Sequence, residues 1–243
     1  MNNLSASELL NIWELGRSQT LARQALLLLS ASCPERSIDT LAKLSIGQRD
    51  ALLLTLREMT FGQSLNGMAS CPECCEHIEL NFDINEIRIT PDSEPPEELT
   101  INANGFEVRF HLPGSQDLVA ITEHEDIRIA QEELLRSCLI TAHHNGKEIS
   151  FDQLPSGLSE AIAKKMAESD PHSDIELALS CPTCGYQWKA IFDIVSFFWS
   201  EINAWSYRIL REVHTLARAY KWREADILAM SPLRRQFYLD MVS

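Results

Sequence analysis

Nothing in the 243-residue sequence is apolar for long enough to cross a bilayer, and the start, Met1-Asn2-Asn3-Leu4-Ser5, lacks a basic stretch followed by an apolar core. No membrane span or secretion leader is therefore expected, and the chain reads as cytoplasmic when made. Reactive patterns are missing too. No Ser-His-Asp spacing, phosphate-cradling loop or carboxylate pair points to an enzyme or to a small-molecule substrate.

Basic residues are scarce in one segment only. Asp and Glu outnumber Lys and Arg by 23 to 7 over residues 71–180, against 6 and 6 over 1–70, 1 and 1 over 181–194, and 5 and 7 over 195–243. The net charge of −14 belongs to that segment. So negative a surface repels phosphate backbones, which removes nucleic acid from the expected partners. Apolar residues at 45% and charged residues at 23% are ordinary for a globular chain, and 243 residues can bury a sizeable core without help from a metal.

What is present is a stretch that occurs twice. Ser70-Cys71-Pro72-Glu73-Cys74 runs on to Phe82-Asp83-Ile84, and Ser180-Cys181-Pro182-Thr183-Cys184 runs on to Phe192-Asp193-Ile194. A shift of 110 residues (181 − 71) superimposes both cysteines, the proline between them and the closing Phe-Asp-Ile. This is a repeated knuckle followed by a strand. Tetrahedral Zn²⁺ takes four thiolates at about 2.3 Å, and C-x-x-C sets two sulfurs on one tight turn, so two such turns complete a shell. Cys71, Cys74, Cys181 and Cys184 are the expected ligands of one structural zinc. A redox C-x-x-C needs a βαβ context and only one pair, whereas an iron–sulfur cluster accepts the same four thiolates and stays open on spacing alone. A closed thiolate shell leaves no position for catalysis. Cys75 and His77 are spare donors beside it, Gly185 stands where the first copy has Cys75, and Cys33 and Cys138 read as small apolar residues.

Around the repeat the expected fold is α+β and mainly helical. Helices are expected from Ser5, whose spacing to Glu8 is a capping box, through Leu21 to Leu29, and from Ser45 to Phe61. They form an N-terminal segment over 1–66. A split zinc ribbon takes 67–85 and 178–194, and an acidic α+β insertion takes 86–177. Within the insertion, Asn104-Gly105 between two alternating runs predicts a hairpin, Pro91 to Glu98 a connector, and His143-His144 beside Asn145-Gly146 an exposed turn. Residues 195–243 predict a C-terminal helical hairpin whose long arm reaches Tyr220 and whose last helix starts at Ser231-Pro232, with Arg234-Arg235 on a solvated face.

The second knuckle, with Phe198-Trp199-Ser200-Glu201-Ile202, Arg211-Glu212-Val213-His214 and the run Asp226 to Arg235, resembles the zinc-ribbon baseplate proteins of contractile phage tails and phage-tail-like injection systems. These are similar to the baseplate hub assembly proteins of T-even phages. Leu44-Ser45-Ile46-Gly47-Gln48-Arg49-Asp50 and Phe61-Gly62 also match that family's lead into the first knuckle. The resemblance implies a non-enzymatic structural or assembly role, with other baseplate, hub or tape-measure proteins as partners, in the cytoplasm during assembly or in the finished particle. A transient assembly chaperone, absent from the mature particle, is the alternative it leaves open.

Overall fold

A computed structural model describes residues 1–89, 95–122 and 126–242, so residues 91–94 of the expected acidic connector lie outside the described residues. Helix α1 (Ala6–Gly16) starts at the expected capping box, where Ser5 Oγ accepts from the Glu8 N–H and Glu8 accepts from the Ser5 N–H. Helices α2 (Leu21–Ser32) and α3 (Ile38–Ala42) follow, and α4 (Ile46–Phe61) opens on a second capping box, Ser45 with Gln48. Gly62 ends α4 at φ +90°, a conformation that side chains resist.

The chain then forms the hairpin β1 (Ser64–Ser70) and β2 (His77–Asp83), with the first knuckle at its tip. Periodicity did not predict β1, because Ser64-Leu65-Asn66-Gly67-Met68-Ala69-Ser70 is poor in strand-forming side chains; pairing with β2 imposes its conformation. Asp83 caps the four-residue α5 (Ile84–Ile87). Strands β3 (Leu99–Ala103) and β4 (Phe106–Phe110) form the expected hairpin around Asn104 and Gly105, at φ +51° and +82°. Helices α6 (Ser115–Ile121) and α7 (Ile127–Cys138) precede β5 (Leu139–His144) and β6 (Lys147–Glu148), which extend the sheet in the order β3-β4-β5-β6. His143 and His144 thus belong to a strand, and the turn is confined to Asn145-Gly146. The His144 ring stacks on Phe106 at 4.1 Å, which half-buries it.

After α8 (Ser156–Ser169), the hairpin β7 (Glu176–Ser180) and β8 (Gln187–Ile191) carries the second knuckle. Asp193 caps α9 (Ile194–Tyr220), 27 residues long, and α10 (Glu224–Leu228) and α11 (Pro232–Asp240) turn back along it. The two arginines expected on a solvated face divide. Neighbours on a helix point about 100° apart, so with one side of α11 against α9, Arg235 is buried, donating to Glu212 at 3.0 Å and to the Met230 carbonyl at 2.6 Å.

Two apolar clusters form among the described residues. The larger joins α1, α2, α4 and α9 with the bases of both knuckle hairpins through Leu65, Ile84, Ile175 and Ile194. The smaller lies between the four-stranded sheet and α8, around Val108, Phe110 and Ile162. Between the clusters α6 packs against α2 and α3, and directed polar contacts add to it. The Ile46 N–H donates to the Pro113 carbonyl at 3.0 Å, and the Gly47 N–H at the start of α4 donates to buried Asp170 at 2.8 Å. Gly47 is required there, because a Cβ would come within 2.0 Å of the Asp170 carboxylate.

Beside Asp170, Nε2 of buried His172 accepts from the Ile89 N–H at 2.9 Å, which demands a neutral ring. Desolvation holds its pKa below the ordinary imidazole value, opposed by Asp170 and aided by Arg88. On acidification the unfolded chain therefore takes the proton first, and the stabilisation present above about pH 6.5 is lost as pH falls below it. Urea denaturation between about pH 7 and pH 5 should show stability falling with pH, with a shallower slope in His172→Gln, which keeps an acceptor but cannot titrate. Equal slopes would remove His172 as a contributor.

Candidate metal centre

The repeat seen in the sequence is a repeat in three dimensions and extends further than the cysteines. In β1–β2, Leu65 pairs with Phe82 and Ser70 with His77; in β7–β8 the same register, 110 residues on, pairs Ser180 with Gln187 and bonds the Phe192 N–H to the Ile175 carbonyl. Leu65 and Ile175 are equivalent and both buried. Carrying the 110-residue shift upstream to this pair would have revealed β1 from sequence.

Each tip is tied by the same two bonds. The Cys71 N–H donates to the Glu76 carbonyl and the Cys75 N–H to the Cys71 carbonyl, both at 2.9 Å; the Cys181 N–H donates to Tyr186 at 2.8 Å and the Gly185 N–H to Cys181 at 2.9 Å. These turns need a left-handed residue after the second cysteine. Gly185 meets that need at φ +75° without steric cost, and Cys75 adopts φ +60° against it.

The tips meet sulfur to sulfur. Cys71 Sγ lies 3.7 Å from Cys184 Sγ and Cys74 Sγ lies 3.6 Å from Cys181 Sγ, with all four sulfurs within 4.8 Å of one another. The two short contacts exchange under the operation that swaps the copies, so the cluster sits on a local two-fold. Phe82 and its equivalent Phe192 also meet there, edge to face at 5.8 Å. Disulfides, with sulfurs about 2.05 Å apart, are excluded. Four thiolates around a tetrahedral ion at about 2.3 Å would stand about 3.8 Å apart, close to the two short contacts. The set could hold a metal.

Backbone N–H groups surround the sulfurs. The Cys181 thiol is drawn down to about 7, first by the Cys184 N–H, against desolvation, with the Thr183 N–H adding. At Cys74 the Glu76 N–H pulls the same way, but the sulfurs of Cys184, Cys181 and Cys71 together with desolvation outweigh it and push the thiol up to about 12. One proton leaves readily and another is held back, as neighbouring like charges require, so complete ionisation needs a cation among the sulfurs. Cys71 and Cys181 are buried while Cys74 and Cys184 reach the surface, so a bound ion would have protein on one side and solvent on the other.

The spare donors stay outside the four-sulfur set. Cys75 is exposed, and His77 Nδ1 lies 3.1 Å from Ser70 Oγ. A second cluster, His111 after β4, Asp117 on α6 and Cys138 on α7, escaped the sequence because its members have no motif spacing. It is not arranged as a coordination set: the His111 ring nitrogens lie 2.9 and 3.2 Å from the carbonyls of Leu112 and Ser137, and Asp117 accepts from the Gly114 N–H. Burial and Asp117 push the Cys138 thiol up to about 12, which removes it as a nucleophile.

A model of the family described as T4 bacteriophage base plate protein matches residues 6–199, which takes in the N-terminal helices, both knuckles and the first turns of α9. Neither the curated proteins nor the solved structures gave a match.

The two turns make opposite predictions for one substitution type. Gly185→Ala should destabilise the chain by about 1 kcal/mol, since a left-handed alanine is strained. Cys75→Gly should be neutral or stabilising by up to about 1 kcal/mol, strain relief offsetting the glycine's entropy, and should leave metal content unchanged. Urea unfolding with metal analysis checks both; loss of metal in Cys75→Gly would make Cys75 a ligand.

Proposed function

The chain belongs to the T4 bacteriophage base plate protein family, and on that premise we propose that it is a structural or assembly component of the baseplate of a contractile phage tail or phage-tail-like injection system, acting through protein contacts rather than catalysis. The single observation that supports a structural part is the sulfur cluster: four thiols meet at the junction of two hairpins that both rest on the main core. We further propose that Cys71, Cys74, Cys181 and Cys184 hold one Zn²⁺. Zinc supplies charge compensation and a fixed tetrahedral junction, and with every ligand a thiolate no site remains for substrate.

Held this way, the knuckles would set the start of α9 against α4. Arg57 supports the same junction, donating to Glu201 at 2.9 and 2.6 Å and to the carbonyls of Gly62 and Ser64 at 2.7 Å each. Arg57 is buried but Glu201 is partly exposed, so removing either partner should cost less than the roughly 3–5 kcal/mol of a fully buried pair. The acidic excess of residues 71–180 favours a second reading, a chaperone that shields a basic hub or tape-measure client and leaves before the particle is complete.

Protein purified without chelators should contain one zinc per chain, and Cys71→Ser with Cys184→Ser should abolish binding and lower the unfolding midpoint. The loss should fall short of the roughly 10–16 kcal/mol seen for zinc in isolated finger peptides, because the apolar core persists without the ion. Absence of zinc together with an equally stable double variant would defeat the metal assignment.

Mass spectrometry of tail intermediates and finished particles tests the role. Retention in the finished baseplate is the expected result, presence in intermediates alone selects the chaperone, and failure to accompany any tail component at any stage overturns both.

A further inference from the structure

The local two-fold relates not only the knuckles but the clefts beside them, and the two clefts differ. Between β8 and β1 the space is filled by Phe197, which packs on Phe192 with ring centroids 5.3 Å apart and lies 3.4 Å from where a Cβ on Gly67 would stand. The Arg57 guanidinium lies 5.8 Å from the Phe197 ring and takes the outward carbonyl of Ser64 on the β1 edge. The equivalent positions between β2 and β7 are Ile87 for Phe197, Leu177 for Gly67 and Asp174 for Ser64. There a cleft of about 540 Å³ remains, lined by Leu80, Phe82, Ile87, Leu177 and Leu179. Its acidic residues are Glu79, Glu86, Asp174 and Glu176, and among the described residues no basic one lines it.

Among the described residues both edges of this cleft are open. In β7–β8 the bonds Phe192 N to Ile175 O and Cys181 N to Tyr186 O fix the ladder's alternation, so the N–H and C=O of Glu176 and Ala178 point away from β8. The same reasoning turns Glu79 and Asn81 away from β1. None of these backbone groups is bonded to another described residue, and all four residues are exposed.

We propose that the cleft between β2 and β7 docks an extended segment of a partner protein that alternates apolar or aromatic with basic side chains, adding as a strand to the β7 edge. The filled twin supplies the chemistry of the occupant: an aromatic ring between the hairpins and a guanidinium on the outward carbonyl. The acidic rim asks for the same cation, and strand addition supplies main-chain affinity with side-chain selection at alternate positions. The inference rests on the proposed baseplate role, since it names the surface through which that role would be exercised.

The test uses the full zinc-loaded chain and a labelled octapeptide alternating phenylalanine or valine with lysine or arginine, followed by fluorescence anisotropy. A second peptide carries glutamate at every basic position. Ala178→Pro removes only an outward N–H, so the hairpin should persist while binding weakens about tenfold, the effect of losing an edge hydrogen bond and its neighbours. Glu79→Lys, on an exposed side chain, should weaken binding several-fold and reduce its salt dependence with unchanged melting. Equal binding of the acidic peptide, or undiminished binding by Ala178→Pro, overturns the proposal. A chain that binds the basic peptide as described but enters no tail intermediate defeats the baseplate role and not the cleft; one that enters particles unaffected by Ala178→Pro and ignores the peptide defeats the cleft alone.

Discussion

Four sulfurs within 4.8 Å of one another close the chain on itself across sequence separations of 107 and 113 residues. That closure constrains everything else. The loop it defines contains the whole acidic segment, and the chain enters and leaves that loop through hairpins of identical register. Loop-closure entropy rises only slowly with length, so a long insertion is tolerated provided its two ends are fixed. Here the ends are fixed twice, by the thiol cluster at the tips and by Leu65, Ile84, Ile175 and Ile194 at the bases.

The insertion keeps its own apolar cluster and meets α4 through directed polar contacts. Asp170 accepts from the first turn of α4 and Pro113 accepts from Ile46, and α6 packs against α2 and α3, so hydrogen bonds of exacting geometry join helix packing in orienting the insertion. Burying a polar group without a partner costs more than the bond contributes, so these contacts act as selectors of one arrangement more than as sources of stability. Gly47 illustrates the selection, since only a residue without a Cβ admits the Asp170 carboxylate at that distance.

Much of this was legible in the sequence. The Ser5–Glu8 capping box and the Asn104-Gly105 hairpin are local patterns in which residue identity fixes geometry, and both form as read; the four spaced cysteines come together, while the matched Phe-Asp-Ile closes each hairpin by capping a helix. What escaped was decided by partners distant in the chain. Strand β1 has little strand propensity and exists through β2. Arg235 looked like half of a solvated pair until α11 lay on α9 and brought Glu212 against it. No local pattern singles out Arg57, yet two carbonyls at the entry to β1 and a carboxylate 144 residues away surround it. His111, Asp117 and Cys138 converge from a connector and two helices with no spacing to announce them.

The repeat is most informative where its copies part. Asp83 and Asp193 cap a helix in the same way, but one helix stops after four residues and the other runs for 27. The long copy brings Phe197, Glu201 and, through Glu201, Arg57 onto its side of the two-fold. Among the described residues the short copy offers Ile87 and Ile89 to its cleft. A two-fold arrangement of hairpins would otherwise present two equivalent clefts and two equivalent open edges, each inviting strand addition. Filling one with an internal aromatic and an internal arginine leaves, among the described residues, one of the two clefts open, so the asymmetry would turn a self-complementary repeat into a surface with one address. The thiol cluster then fixes that address relative to α9, because the cleft, the knuckles and the helix all begin at the same pair of capped turns.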